Sequence, residues 1–193
     1  GIREFLTHKQ SIIGMLLVVI PTMGYMSLIT ASSSLIIGIY NFPVKWFGPI
    51  FALAGLAVLI GSVINRRLLK KYNILKITGI GALFVGLGAI MLIYFAWQNQ
   101  ANFIWLWFSI CIYMLGTGFL ISNATAMALD PVPKIAGIAA SIIGTLQNLC
   151  SSIGSIFTGI IYNHSITNTI LVMAVFGFLT LIVYLLSYKA LKQ

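Results

Sequence analysis

Six long apolar segments fill most of this chain, and none has an Asp, Glu, Lys or Arg near its middle. A helix needs roughly 20 apolar residues to cross the hydrocarbon core of a bilayer. By that measure residues 11–40, 46–65, 77–97, 103–129, 135–162 and 167–188 are spans 1 to 6. The breaks between them read NFPVK, RRLLKKYNILK, QNQAN, DPVPK and NHSIT, all suited to water-facing turns. Hydrophobic residues make up 60% of the chain and charged ones 7%. A soluble domain carries about 25% charged residues, so lipid rather than water is the expected solvent. The expected fold is an all-α integral membrane protein, a single six-span bundle over residues 1–193.

Charge sets the expected orientation. The excess of 11 Lys and Arg over 2 acids could suggest nucleic acid, but most of these cations sit between apolar segments and form no continuous basic face. Basic residues favour the cytoplasmic side of a membrane. Ten of them (Arg3, Lys9, Arg66, Arg67, Lys70, Lys71, Lys76, Lys134, Lys189 and Lys192) fall on one side, and Lys45 alone on the other. Both termini are therefore expected in the cytoplasm, with the chain crossing the inner (plasma) membrane. The start at Gly1 looks like a cut through a longer protein, and GIREFLTHKQ is too polar for the apolar part of a signal peptide.

Reactive chemistry is hard to find. Cys111 and Cys150 lie in separate apolar segments without metal-ligand or CxxC spacing, and read as small buried side chains. His8 and His164 read as solvated surface groups at span ends. No HExxH, GxSxG or pair of acids occurs in the spans, so neither an enzyme nor a metal or cofactor site is expected. The two acids, Glu4 and Asp130, sit at span ends, leaving no intramembrane proton carrier of the usual kind.

Small and polar residues fall in stripes. Gly79, Ala82, Gly86 and Ala89 in span 3, and Gly137, Ala140, Gly144, Ser151, Gly154 and Thr158 in span 5, are suited to close helix packing. Polar faces comprise Ser27, Thr30, Ser34, Gly38 and Asn41 in span 1, and Ser109, Tyr113, Gly116 and Asn123 in span 4. A third comprises Ser141, Thr145, Asn148, Ser152 and Ser155 in span 5. A serine can bond its own helix, but an asparagine amide needs partners that lipid does not offer. Asn123 and Asn148 are thus either glue between helices or lining of a cavity. Gly24, Leu28, Ile29 and Thr30 echo Gly116, Leu120, Ile121 and Ser122 at an offset of 92, as two inverted three-span repeats would.

Two motifs carry a family resemblance. GSVINRRLLKKYN after span 2 looks like the loop motif of the major facilitator superfamily, commonly close to G-x-x-x-D-R-x-G-R-R, with Asn65 at the usual acidic position. NATAMALDPVPKIAGIAASIIGTLQ is similar to the segment joining spans ten and eleven of bicyclomycin-resistance-type (Bcr/CflA) drug/proton antiporters. The matching positions are Asn123, Ala124, Pro133, Ala136, Gly137, Ala139, Ser141, Gly144 and Gln147. KWFGPIFAL resembles the start of the family's eighth span, while Ser33-Ser34 stands where a Ser-Pro pair is common.

The resemblance implies the carboxyl-terminal half of a twelve-helix transporter, with the amino-terminal six-span half as its missing partner. It further implies a drug-like small molecule and protons as the transported species, exchanged by alternating access, and inactivity of this half alone. Tyr25, Ser27, Thr30 and Ser34 on span 1, with Tyr113, Thr117 and Asn123 on span 4, become candidate substrate contacts, and Met23, Met26 and Phe119 candidate apolar bulk. Asn65, Arg66, Arg67, Lys70 and Lys71 become a candidate gate or brace, for which a plain topology signal is the other reading. A facilitator of another metabolite, and a non-transporting remnant or assembly protein, are the alternatives.

Overall fold

The computed structural model describes residues 2–98, 102–163 and 165–191. His164 and Lys192 lie outside them, as do the side chains of Arg3 and Lys189. A short helix, Ile2–Thr7, precedes span 1, which is α-helical over Lys9–Ser33 and continues as a π-helix over Ser34–Ile39. Span 2 is Phe47–Leu68, entered through a 3-10 turn at Val44–Trp46. Span 3 is Ile74–Gln98 and span 4 is Phe103–Leu129. After a 3-10 turn at Pro133–Ile135, span 5 runs Ala136–Ile161 and span 6 Ile166–Leu191. Among the described residues six helices are long and apolar enough to cross a membrane, so the chain is a multi-pass membrane protein.

The span ends follow local chemistry. Asn41 takes a left-handed φ of 54° after the π-helix, which asparagine tolerates better than most residues. The Asn102 side chain accepts from the Ile104 N–H at 2.9 Å and starts span 4. Span 2 continues three residues beyond its expected end at 65. The Arg66 and Arg67 side chains there complement the negative end of the helix dipole.

Span 1 packs against spans 4, 5 and 6, span 4 against spans 1, 2 and 3, and span 3 against span 6. Exchanging 1 with 4, 2 with 5 and 3 with 6 leaves these main pairings unchanged, as an inverted three-span repeat requires. The Tyr113 hydroxyl donates to the Pro21 carbonyl at 3.0 Å, and these two residues are 92 apart. That is the offset of the sequence echo. A contact between equivalent positions lies on the pseudo-twofold axis, so Tyr113 and Pro21 mark it.

Small residues let the helices close. A Cβ added at Gly116 would come within 2.6 Å of the Val85 nitrogen and 2.8 Å of the Gly81 carbonyl oxygen. Gly79 meets Tyr184, and Gly86 meets Leu181, so the span 3 stripe seats span 6. Span 5 behaves differently along its length. Gly154 packs against the Met23 carbonyl, whereas Gly137 and Gly144 have nothing within 4 Å of an added Cβ. Helix packing within this chain therefore explains only the later part of the span 5 stripe.

Candidate functional site

Spans 1, 2 and 4 line an open-sided cavity of about 240 Å³. Span 1 contributes Tyr25, span 2 contributes Phe51, Ala54, Gly55, Val58 and Leu59, and span 4 contributes Met114, Thr117 and Ile121. The walls are mostly aliphatic or aromatic, with two hydroxyl-bearing side chains among them. The Thr117 hydroxyl donates to the Met114 carbonyl at 2.7 Å, which satisfies its proton and leaves lone pairs to accept. Tyr25 is half-buried at the wall. Such a site holds a largely apolar molecule and orients it by one or two hydrogen bonds. It has no ionised wall group to recognise a charged one.

The other candidate contacts lie elsewhere. Ser27 is fully buried and accepts from the Thr158 hydroxyl at 2.7 Å, tying span 1 to span 5. Tyr113 is fully buried on the axis, with its hydroxyl committed to Pro21. Thr30 is exposed and donates back to the Met26 carbonyl at 3.0 Å. Ser34 is half-buried at the start of the π-helix. Of the suggested apolar bulk, Met23 packs on Gly154 and Phe119 stacks on Phe84, so neither forms a wall of this cavity.

Asn123 requires the clearest correction. It is 1% exposed and exchanges two hydrogen bonds with Asn65, at 2.9 and 3.1 Å, across the contact of spans 4 and 2. A residue considered for substrate binding and one considered for the gate are partners in a closed amide pair. The pairing follows from neutrality, since each amide offers both a donor and an acceptor to the other. Asn65 is thus separated in role from the cations that follow it. Arg66, Arg67, Lys70 and Lys71 are all exposed at the end of span 2.

Asn148 takes the opposite course. Ser141, Thr145, Asn148 and Ser152 are exposed along span 5, and Ser155 is half-buried. Ser141 and Ser152 return their protons to the carbonyls of Ile138 and Asn148, at 2.8 and 3.0 Å. A polar row of this kind is costly against lipid, so it calls for water or another polar surface.

The contribution of span 2 to the cavity was missed in the sequence because Phe51, Gly55, Val58 and Leu59 show no polar pattern. Gly55, where an added Cβ meets nothing within 4 Å, is a signal only once the fold is known.

Against this geometry, the Major Facilitator Superfamily model matches residues 1–155. The chain belongs to that superfamily. Its six spans form a bundle of the kind that makes one half of the superfamily's twelve-helix fold, and the members of that superfamily are transporters. The chain is also similar to a bicyclomycin resistance protein homolog of Haemophilus influenzae, 29% identical over 124 residues. That similarity takes in 64% of this chain and 31% of the relative, so the chain matches under a third of the relative's length.

Proposed function

We propose that this superfamily member is half of a proton-coupled multidrug efflux antiporter, exporting uncharged or weakly charged drug-like molecules by alternating access. The cavity between spans 1, 2 and 4 carries the proposal, because its apolar walls and two hydroxyls suit such molecules. Its volume of about 240 Å³ is below the roughly 300–1,000 Å³ usual for a drug-sized ligand. A second six-span half facing it would supply the remaining wall. The drug-resistance name of the Haemophilus relative supports the same substrate class.

Proton coupling is assigned to that second half, because the acids here, Glu4 and Asp130, stand at span ends. Asp130 is exposed and receives the Gln10 amide at 3.4 Å. The six-span half alone is then inactive. The charge asymmetry supports placing the basic end and both termini in the cytoplasm of a plasma-membrane protein.

The test is accumulation of an uncharged drug such as chloramphenicol in cells expressing this chain with a complementary amino-terminal half, with and without a proton gradient. Lower accumulation that depends on the gradient is expected. Equal accumulation in expressing and empty cells across a broad drug panel would contradict drug export. Gradient-driven transport by this chain alone in liposomes would contradict its dependence on a second half.

A further inference from the structure

A second groove lies on the opposite side of span 2 from the cavity. Leu53, Leu56 and Ile60 of span 2 and Phe108, Cys111 and Leu115 of span 4 line it, with a volume of about 360 Å³. Leu53, Leu56, Ile60 and Phe108 are each about half exposed. The apolar stripe continues along span 2 through exposed Val63 and Ile64, and reaches exposed Arg67 at helical spacing. Arg67 is seven residues beyond Ile60, which at 1.5 Å per residue is about 10 Å along the axis. Half of a bilayer core is about 15 Å deep. A chain anchored at Arg67 therefore passes Ile60 and ends at about the level of Leu56, which is 11 residues and about 16 Å from Arg67.

The anchor is cationic and unopposed. Arg66, Arg67, Lys70, Lys71 and Lys76 fall within one connection that contains no acid. Glu4 belongs to the short helix packed on spans 1 and 5, and Asp130 accepts from Gln10 of span 1. Leu69 and Tyr72 are exposed between these cations, 39% and 55% respectively, as suits residues resting at the interface between headgroups and acyl chains.

We infer that spans 2 and 4 form a binding site for one anionic phospholipid, with an acyl chain in the Leu56–Cys111 groove and the phosphate on Arg67, Lys70 and Lys71. The apolar groove and the basic turn are separate features of the fold, and their alignment on one helical stripe selects a molecule with a long tail and a negative head. A zwitterionic lipid fits the groove but brings no net negative charge to the turn, and a free phosphate lacks the tail.

Native mass spectrometry of the full chain in mild detergent, with dioleoyl phosphatidylglycerol, dioleoyl phosphatidylcholine or inorganic phosphate added, tests the site. Each cation near an anionic lipid surface is worth roughly fivefold in binding. Replacing Arg67, Lys70 and Lys71 with Gln is therefore expected to reduce phosphatidylglycerol retention by about a hundredfold at low salt. Cys111→Phe, which fills the groove and leaves the charges in place, is expected to weaken retention as well. Lys45→Gln at the other end should have no effect. Equal retention of the two lipids would overturn the inference. So would unchanged phosphatidylglycerol binding in the triple variant, or full displacement by millimolar phosphate. If the triple variant does not fold, Cys111→Phe decides alone, and undiminished retention there counts against the site.

Discussion

Spans 4 and 5 carry similar polar residues and use them in opposite ways. In span 4 the polar groups are turned into the bundle, where Tyr113 reaches the Pro21 carbonyl and Asn123 closes on Asn65. In span 5 only the residues facing span 1 are enclosed, such as Ser151 and Thr158, while Thr145 and Asn148 are left exposed. Polar composition in a membrane helix therefore does not distinguish cohesion from lining. The distinction comes from whether a neighbouring helix covers the face.

The largest difference between the two spans is expected from glycine substitutions. Gly116→Ala pushes a methyl group into the backbone of span 3, and should destabilise by about 1–3 kcal/mol, as overpacking does. Gly144→Ala meets open space and should leave the unfolding midpoint unchanged or slightly raised, because alanine favours a helix interior over glycine by up to about 1 kcal/mol. Thermal unfolding in detergent compares them, and equal shifts would erase the contrast.

The amide pair comes next. Asn123→Leu strands the Asn65 amide in a buried site and should cost about 1–3 kcal/mol. The double replacement of Asn65 and Asn123 with Leu removes both needs and should cost less than the single change. Additive costs would show that the two amides do not depend on each other. Tyr113→Phe loses one hydrogen bond to Pro21 and should cost about 0.5–1.5 kcal/mol. Asn148→Leu should leave stability within about 0.5 kcal/mol, like other uncovered positions, while lowering drug efflux. A stability loss as large as that of Asn123→Leu would mean that span 5 is covered after all.

Much of the fold was legible because apolar length alone calls for spanning helices. Span 4 runs Phe103–Leu129, as read from the sequence. The π-helical end of span 1 was not legible, since Ser34–Ile39 differs from an α-helix in hydrogen-bond register and not in composition. Within the candidate set, Tyr25 and Thr117 line the cavity, while Ser27, Thr30, Ser34, Tyr113 and Asn123 lie elsewhere. Helical periodicity says which residues share a face, and it cannot say which helix stands opposite. Ser27 and Asn123 fall on polar faces, yet their partners Thr158 and Asn65 lie 131 and 58 residues away, beyond the reach of any local pattern. Span 2 shows the converse, since its stretch from Phe47 to Gly61 has no polar side chain and gives no local sign of which side borders the cavity.

In the proposed transporter the open row of span 5 faces water, as its uncovered Thr145 and Asn148 require, whereas Ser27 and the other polar groups of the inner faces are sealed. Thiol labelling tests it most directly. In the complete transporter, with Cys111 and Cys150 replaced by Ser, Asn148→Cys and Ser27→Cys would each be exposed to a membrane-impermeant maleimide. Rapid labelling is expected at position 148, slowed by drug, and little at position 27. Labelling of position 27 as fast as 148, or none at 148 from either side of the membrane, would contradict it.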